Sequence, residues 1–330
     1  MRLSLSQRLR LSRGAMVYSA VDRAAHTLAW LRYALPDAQP ERHHVFLEPN
    51  VPYGASRSHH HTLDVYIPTR ASRPLPVVMY VHGGAFASLS KDTHRVMALA
   101  IARRGYLVFN INYRQGLRHP FPEPLEDAAS ALLWVNANAD RFGGDRSRLA
   151  IAGESAGGNL VTALGVMHAK RYEVPFARRV HDANISLRAI VSTYPYLDLT
   201  DRYEAHPRLA RWYKTALFDA ASSYLGRQVF EREHHVLASP VRALENAFTA
   251  ERPMPPFFIA CGSRDPFLQQ CQRLKDALDR LSVDAELFIA PGEIHAFDAM
   301  VWRAPARKKW KATHAFLAKH LSVPSKAKTA

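Results

Sequence analysis

Short apolar runs that alternate with amphipathic segments constrain the fold of this chain more than any other feature. Residues 75–81, 106–113, 149–153, 189–195 and 257–262 are almost continuously apolar. Runs of this length without polar alternation are typical of strands buried on both faces of a parallel sheet. Helix-like patterns follow them at residues 96–102, 125–138, 157–168, 271–281 and 310–321. The order predicts an α/β fold with a doubly wound, mostly parallel sheet over about residues 63–321.

The bulk composition excludes several other classes of protein. The chain has 330 residues, of which 48% are hydrophobic and 22% charged, so it is neither a disordered chain nor a collagen-like fibre. Cys261 and Cys271 lack the spacing of a metal or redox motif, and we expect two buried free thiols. No apolar run approaches the roughly 18–20 residues of a membrane span. Arginines interrupt the N-terminal apolar stretch, so no signal peptide is indicated and we expect a soluble, cytoplasmic protein.

The charge is the one unusual bulk property, with 44 Lys+Arg against 29 Asp+Glu and a net charge of +15. Three interpretations exist: nucleic-acid binding, attraction to anionic lipid surfaces, and a scattered surface charge without a specific partner. The cations are spread along the chain rather than gathered on one helix or interleaved with aromatic residues. This distribution favours the scattered surface, argues against nucleic acid, and leaves weak attraction to an anionic membrane open.

Two segments break the alternation of strands and helices. Residues 1–50 carry apolar side chains at helical spacing and are predicted to be a helical segment that forms part of a cap. Residues 198–250 show no strand pattern and are predicted to be a helical cap insertion. The core is then expected at residues 51–197 and 251–322, with a basic tail at 323–330. Trp212, Tyr213, Phe218 and Tyr224 of the insertion fit either an acyl pocket or ordinary helix packing.

The strongest local motif is Gly-Glu-Ser-Ala-Gly at residues 153–157, between a predicted strand and a predicted helix. A GxSxG in this context predicts a sharp turn that lifts the hydroxyl of Ser155 above the sheet as a nucleophile. The following helix directs its N-terminus, with the backbone N–H of Ala156, towards negative charge that develops there. The competing interpretation is an ordinary glycine-rich turn.

A second glycine-rich motif, His-Gly-Gly-Ala-Phe at residues 82–86, directly follows the strand predicted at 75–81. Its small residues allow the backbone N–H groups of Gly83 and Gly84 to approach a substrate carbonyl oxygen. Together with the N–H of Ala156 they form a candidate oxyanion hole. His82 is interpreted as a residue that anchors this loop rather than as a catalytic base.

These motifs, with Asn-Tyr-Arg at 112–114, His-Pro-Phe-Pro at 119–122 and Leu-Glu-Asp-Ala at 125–128, resemble the hormone-sensitive-lipase-like branch of the α/β-hydrolases. The resemblance covers about residues 60–321 and includes bacterial carboxylesterases. It implies an α/β-hydrolase core with a helical cap and serine esterase chemistry, without a cofactor or a metal. Related enzymes commonly form homodimers, so the resemblance also keeps a homodimer open.

The family order Ser…Asp…His implies that the acid and the base lie downstream of Ser155. Asp265 follows the strand predicted at 257–262, and His295 follows the one predicted at 285–290. In this arrangement His295 accepts the serine proton, while Asp265 orients the imidazole and stabilises its charged form. Glu293 and Asp298 are too close to His295 in sequence to come from a separate strand end.

The chain departs from the family pattern at Ala85, where a third glycine is usual, and at Glu154, where aspartate is usual. Neither departure touches the predicted triad. The sequence therefore predicts a serine carboxylesterase acting on short- to medium-chain acyl esters. An amidase or deacetylase with the same triad is the first alternative, and a ligand-binding receptor on a hydrolase scaffold is the second.

Overall fold

A computed structural model describes residues 22–54, 56, 58–116, 118–201, 210–226, 233–246 and 248–322 of the chain. In this part of the chain, eight strands form a single sheet. They are β1 (Val45–Pro52), β2 (Thr62–Pro68), β3 (Leu75–Val81), β4 (Leu107–Ile111), β5 (Gly144–Glu154), β6 (Leu187–Thr193), β7 (Phe257–Gly262) and β8 (Ala285–Ala290).

The sheet has the strand order β1-β2-β4-β3-β5-β6-β7-β8. Only β2 pairs in antiparallel fashion, with β1 on one side and β4 on the other, and the remaining pairs are parallel. All residues of β4 and β7, and nearly all of β3, are buried, as expected for strands covered on both faces. The predicted α/β class and the mostly parallel sheet are confirmed.

Helices cover both faces of the sheet. Residues 22–33 are helical (α1), and the other helices are α2 (Arg95–Ala102), α3 (Glu123–Asn138), α4 (Ala156–Ala169), α5 (Pro175–Asp182), α6 (Arg211–Leu225), α7 (Pro240–Glu245), α8 (Leu268–Arg280) and α9 (Ala304–Leu321). One core cluster joins the sheet to α3, α4, α5 and α8, and a second joins its other face to α2 and α9. Between these two layers lie β3 to β8. Because these strands are parallel, their carboxyl ends lie at the same edge of the sheet.

The structure differs from the sequence prediction near the N-terminus. Residues 45–50, assigned above to a helical segment, belong to the edge strand β1, which pairs with β2. An edge strand buries only part of its surface, and Pro49 and Pro52 are tolerated there because their missing N–H groups are not needed for pairing. The strand therefore lacks the continuous apolar run that marked the central strands. The short helix α5 was also not predicted.

The segment between β6 and β7 is helical where it is described. It contains α6 and α7 and, among its described residues, no strand. Leu217 and Tyr224 of α6 are buried against the main core cluster. The predicted tail at 323–330 and the predicted helix before residue 22 lie outside the described residues. Across the described part of the chain, every helix is too short or too polar to span a bilayer.

Candidate active site

Ser155 lies in the tight turn between β5 and α4 with a strained backbone. Its φ of 51° and ψ of −116° place an L-amino acid in a sparsely populated region. The chain passes close to itself here, since a Cβ atom on Gly157 would lie 2.1 Å from the Val81 carbonyl oxygen. A Cβ atom on Gly153 would lie 2.4 Å from the Gly157 carbonyl oxygen. The glycines on both sides are therefore required by space, and the turn holds the serine hydroxyl above the strand end.

The structure brings Ser155 together with the two predicted partners from other strand ends. His295 Nε2 lies 3.0 Å from Ser155 Oγ, and His295 Nδ1 lies 2.8 Å from Asp265 Oδ2. The second oxygen of Asp265 accepts a hydrogen bond of 2.8 Å from the backbone N–H of Phe267. Because the Asp265 side chain is fully buried and doubly bonded, it can fix the imidazole in one orientation.

The pKa of His295 reflects two opposing effects. Burial disfavours the imidazolium and lowers the pKa, but the Asp265 carboxylate more than compensates and raises the pKa above its ordinary value of 6.5. An imidazole whose charged form is stabilised in this way can accept a proton from a serine and return it to a leaving group.

The glycine loop lies beside the serine, as a donor loop for an oxyanion requires. A Cβ atom on Gly83 would lie 3.2 Å from the Cβ atom of Ser155, so this backbone approaches the nucleophile closely. Gly84 has a φ of +114°, and a Cβ atom there would lie 1.9 Å from the Ser88 carbonyl oxygen. Among the described residues, none accepts a hydrogen bond from the N–H of Gly83, Gly84 or Ala156. These three donors are free to bind an oxyanion.

His82 is buried under this loop. Its ring stacks on Tyr113 with the ring centroids 4.5 Å apart, and the Tyr113 hydroxyl donates to the His82 carbonyl oxygen at 3.0 Å. Burial lowers the pKa of His82 to about 3, so the ring is neutral at physiological pH. These contacts fit a residue that anchors the loop.

The chain is similar to known proteins in its sequence and in its fold. A family model described as alpha/beta hydrolase fold matches residues 78–299. This chain belongs to the alpha/beta hydrolase fold family. Esterase LipC of Mycobacterium tuberculosis is 30% identical over 237 residues, which cover 69% of this chain and 55% of that protein. Carboxylesterase NlhH of the same species is 30% identical over 250 residues, which cover 73% of this chain and 72% of that protein.

The solved structures agree with this assignment. Esterase LipW of Mycobacterium marinum is similar with a TM-score of 0.75 and 25% identity, over 93% of this chain and 90% of that chain. The predicted resemblance to the hormone-sensitive-lipase-like branch is thereby confirmed. The chain spans little more than half of LipC but most of NlhH and LipW, at 55%, 72% and 90% of their lengths.

A chain of buried polar side chains lies beneath the site of this alpha/beta hydrolase. His94 Nε2 is 2.6 Å from Glu154 Oε1, and Tyr194 donates a hydrogen bond of 2.8 Å to the other Glu154 oxygen. The Tyr194 hydroxyl is also 2.5 Å from Asp298 Oδ1, and Asp298 Oδ2 is 2.7 Å from Lys309 Nζ. We call these five residues the buried polar network.

In the buried polar network each carboxylate has one cationic partner, His94 for Glu154 and Lys309 for Asp298, and the Tyr194 hydroxyl lies between the two carboxylates. Burial by itself raises the pKa of Glu154, but His94 outweighs this effect and the pKa falls to about 2. Burial likewise lowers the pKa of His94, and the Glu154 carboxylate reverses the shift and raises it. Glu154 precedes the nucleophile, and the Tyr194 ring contacts the His295 ring edge-on with centroids 4.7 Å apart. The network thus lies directly under both members of the Ser–His pair.

No sequence motif indicates that His94, Tyr194 or Lys309 belongs to the site. Each comes from a different element, and none belongs to a local motif, so only the fold brings them together. Asp298 was considered only as a rival acid for His295, and it instead pairs with Lys309. The one signal was Glu154 itself, since a carboxylate at the buried end of a strand requires a partner.

Other polar groups singled out in the sequence lie outside this site. Residues 59–61 form a short turn in which His61 Nε2 contacts Asp127 Oδ1 at 3.1 Å. Cys261 and Cys271 are free and buried, as predicted. Within the described ranges, no cluster of three or more His, Cys, Asp or Glu side chains is arranged to hold a metal ion.

Proposed function

We propose that this protein is a serine carboxylesterase that hydrolyses short- to medium-chain acyl esters through an acyl-enzyme on Ser155. The observation that carries the proposal is the continuous hydrogen-bonded chain from Asp265 through His295 to Ser155, at 2.8 and 3.0 Å. The relatives described as esterases and carboxylesterases support an ester as the substrate.

In the proposed mechanism, His295 Nε2 accepts the proton of Ser155 as the serine oxygen attacks the ester carbonyl carbon. The N–H groups of Gly83, Gly84 and Ala156 bind the oxyanion of the tetrahedral intermediate. His295 then protonates the departing alkoxide, which leaves an acyl group on the serine. Water, activated by the same imidazole, releases the acid and restores the hydroxyl. Asp265 stabilises the imidazolium in both halves of the cycle.

The proposed preference for short to medium chains rests on α6, which we take as part of the cap. Tyr224 of α6 stacks on Phe86 of the glycine loop, with ring centroids 3.7 Å apart and planes 11° apart. Both rings are buried. The stacked pair fills the space between the glycine loop and α6, so a long acyl chain would have to displace it.

The first test is the variant Ser155→Ala, assayed on p-nitrophenyl butyrate. We expect kcat to fall at least about 1,000-fold, because the acyl-enzyme can no longer form. Circular dichroism and the melting temperature should match the parent protein. A fluorophosphonate probe should label the parent and not the variant. A folded variant that keeps most of its activity would refute the proposal, and a folded parent that resists labelling would favour the receptor alternative.

The acyl chain length and the reacting bond need separate measurements. A series of p-nitrophenyl esters from two to sixteen carbons should give the highest kcat/KM at the short to medium lengths. Paired rates on an ester and its matching anilide decide between an esterase and an amidase or deacetylase. Faster hydrolysis of the anilide would indicate an amidase or deacetylase that uses the same triad.

A further inference from the structure

The helix α1 has two distinct faces. Its inner face packs on the segment that follows the glycine loop. The backbone N–H of Leu89 donates to Asp22 Oδ1 at 2.7 Å, and His26 Nε2 lies 3.1 Å from Ser90 Oγ. The backbone N–H of Arg95 donates to the Tyr33 hydroxyl at 2.9 Å. The polar side chains of α1 thus hold it beside the candidate active site.

The opposite side of α1 is apolar and exposed. Leu28 and Leu31 lie one helical turn apart on α1, and Leu35 follows two residues after the helix ends. Their side chains are 66%, 52% and 51% exposed. We call these three residues the leucine face. Such a stripe normally packs against a core, and large side chains exposed in one row indicate an interaction surface.

Two exposed tryptophans flank the leucine face. Trp30 is 71% exposed and Trp302 is 58% exposed. The Arg32 guanidinium lies 5.9 Å from the centroid of the Trp302 ring, which links α1 to the segment that carries His295. Tryptophan is enriched at the boundary between membrane and water, where its ring spans an apolar and a polar environment. The exposed apolar surface therefore continues towards the candidate active site.

The positive charge of the protein favours an anionic lipid surface over a second copy of the chain as the partner of the leucine face. In the described residues 22–35, Arg23 and Arg32 accompany a single acidic residue, Asp22, and the whole chain carries a net charge of +15. A second copy of the chain would bring the same positive charge to the contact. An anionic bilayer instead attracts arginines and accepts apolar side chains at its interface.

We propose that the leucine face docks on an anionic lipid surface and holds the mouth of the active site next to it. Docking would insert the three leucines and the two tryptophans at the level of the headgroups, while Arg23 and Arg32 contact the lipid phosphates. The proposal concerns binding and does not depend on the chemistry proposed for Ser155.

The test measures co-sedimentation of the Ser155→Ala protein with vesicles, so that turnover plays no part. The vesicles contain phosphatidylcholine alone or an equal mixture of phosphatidylcholine and phosphatidylglycerol, in 50 and 500 mM NaCl. We expect the protein to bind the mixed vesicles. Binding to the neutral vesicles should be at least about tenfold weaker, and binding to the mixed vesicles should be weaker at 500 mM than at 50 mM NaCl.

The triple variant Leu28→Gln, Leu31→Gln, Leu35→Gln should bind the mixed vesicles at least about tenfold more weakly. The matched control is Phe46→Gln with Ile289→Gln, two exposed apolar residues on the edge strands β1 and β8. It should bind within about twofold of the parent. In proteins that retain Ser155, the triple variant should hydrolyse soluble p-nitrophenyl acetate at the parental rate. If the triple variant misfolds, the single variant Leu31→Glu provides the same test.

Three results would overturn the proposal. The leucine variants could bind as well as the control, or the parent could bind neutral and anionic vesicles equally. The third is a concentration-dependent dimer in analytical ultracentrifugation that the triple variant abolishes, because the leucine face would then belong to a second copy of the chain.

Discussion

The imidazole of His295 illustrates how one neighbour sets the chemistry of a residue. Burial alone would lower its pKa, and a neutral ring without a carboxylate partner would be a weaker base. Asp265, itself buried and bonded to the Phe267 N–H, raises that pKa. Since the base must be neutral to accept the serine proton, activity is expected to fall as pH decreases through the pKa of His295.

Replacing Asp265 with asparagine tests this electrostatic role. The amide has no charge to stabilise the imidazolium, so the pKa of His295 should fall and the acid limb of the kcat/KM profile should move to lower pH. We expect kcat to fall about 1,000-fold or more at neutral pH, since the imidazole also loses its orientation. Rates from pH 4 to 9 measure both effects. An acid limb that stays in place would show that another group controls the titration.

At the scale of elements, the buried polar network joins the strand that ends at the nucleophile to the segment around His295 and to α9. Breaking a buried ion pair leaves one charge without a partner, which costs about 3–5 kcal/mol. Glu154→Gln removes the carboxylate between His94 and Tyr194. The free energy of unfolding of this variant should fall by about 3–5 kcal/mol. The control Glu286→Gln, on the exposed part of β8, should change the free energy of unfolding by less than about 0.5 kcal/mol.

The loss caused by Glu154→Gln should also depend on pH. The pKa of Glu154 is depressed to about 2, so its contribution is complete above its ordinary value of 4.5 and declines as pH falls towards 2. The pKa of His94 is raised, so its contribution is complete below 6.5 and declines as pH rises through the raised value. Urea denaturation should therefore show the largest deficit between pH 4.5 and 6.5. A deficit independent of pH would contradict a charged pair.

The helix α6 supplies a second prediction at the scale of elements. Tyr224→Ala removes the ring stacked on Phe86 and should raise kcat/KM for a p-nitrophenyl octanoate relative to a butyrate by about tenfold, because room opens for further methylenes. Tyr224→Phe is the matched control. The Tyr224 hydroxyl has no hydrogen-bond partner among the described residues, so the control should keep the parental preference. Equal shifts in both variants would contradict a steric role of the ring.

At the scale of the whole molecule, we expect the net charge of +15 to affect binding to anionic partners rather than the rate of the proposed ester hydrolysis. The groups that face the serine are backbone N–H groups, an imidazole and a buried carboxylate. We therefore expect kcat/KM on a soluble neutral ester to change by less than about twofold between 50 and 500 mM NaCl, while vesicle binding weakens strongly. A large salt effect on the soluble ester would mean that surface charge reaches the active site.

The central fold and the candidate nucleophile were predictable from the sequence because their signals are local. A continuous apolar run marks a strand buried on both faces, and the GxSxG motif is a contiguous pattern of five residues. The contact of Gly153 with Gly157 is local, although Gly157 itself is required by the distant Val81. Asp265 comes three residues after such a strand, β7, whereas His295 comes five residues after the half-exposed edge strand β8. For these two residues the Ser…Asp…His order of the resembled family supplied the prediction. The edge strand β1 was not predictable in the same way, since its half-exposed surface leaves no continuous pattern.

The sequence alone determined the class of fold, the nucleophile motif and the excess of positive charge. Only the tertiary structure determined which distant side chains meet: His94 with Glu154, Tyr194 with Asp298, and Tyr224 with Phe86. It also decided that Leu28 and Leu31 face outwards, because α1 packs through its polar residues, and that Leu35 after the helix is exposed. A stripe of leucines has the same spacing whether it packs inwards or remains exposed, and only the contacts of the opposite face distinguish the two.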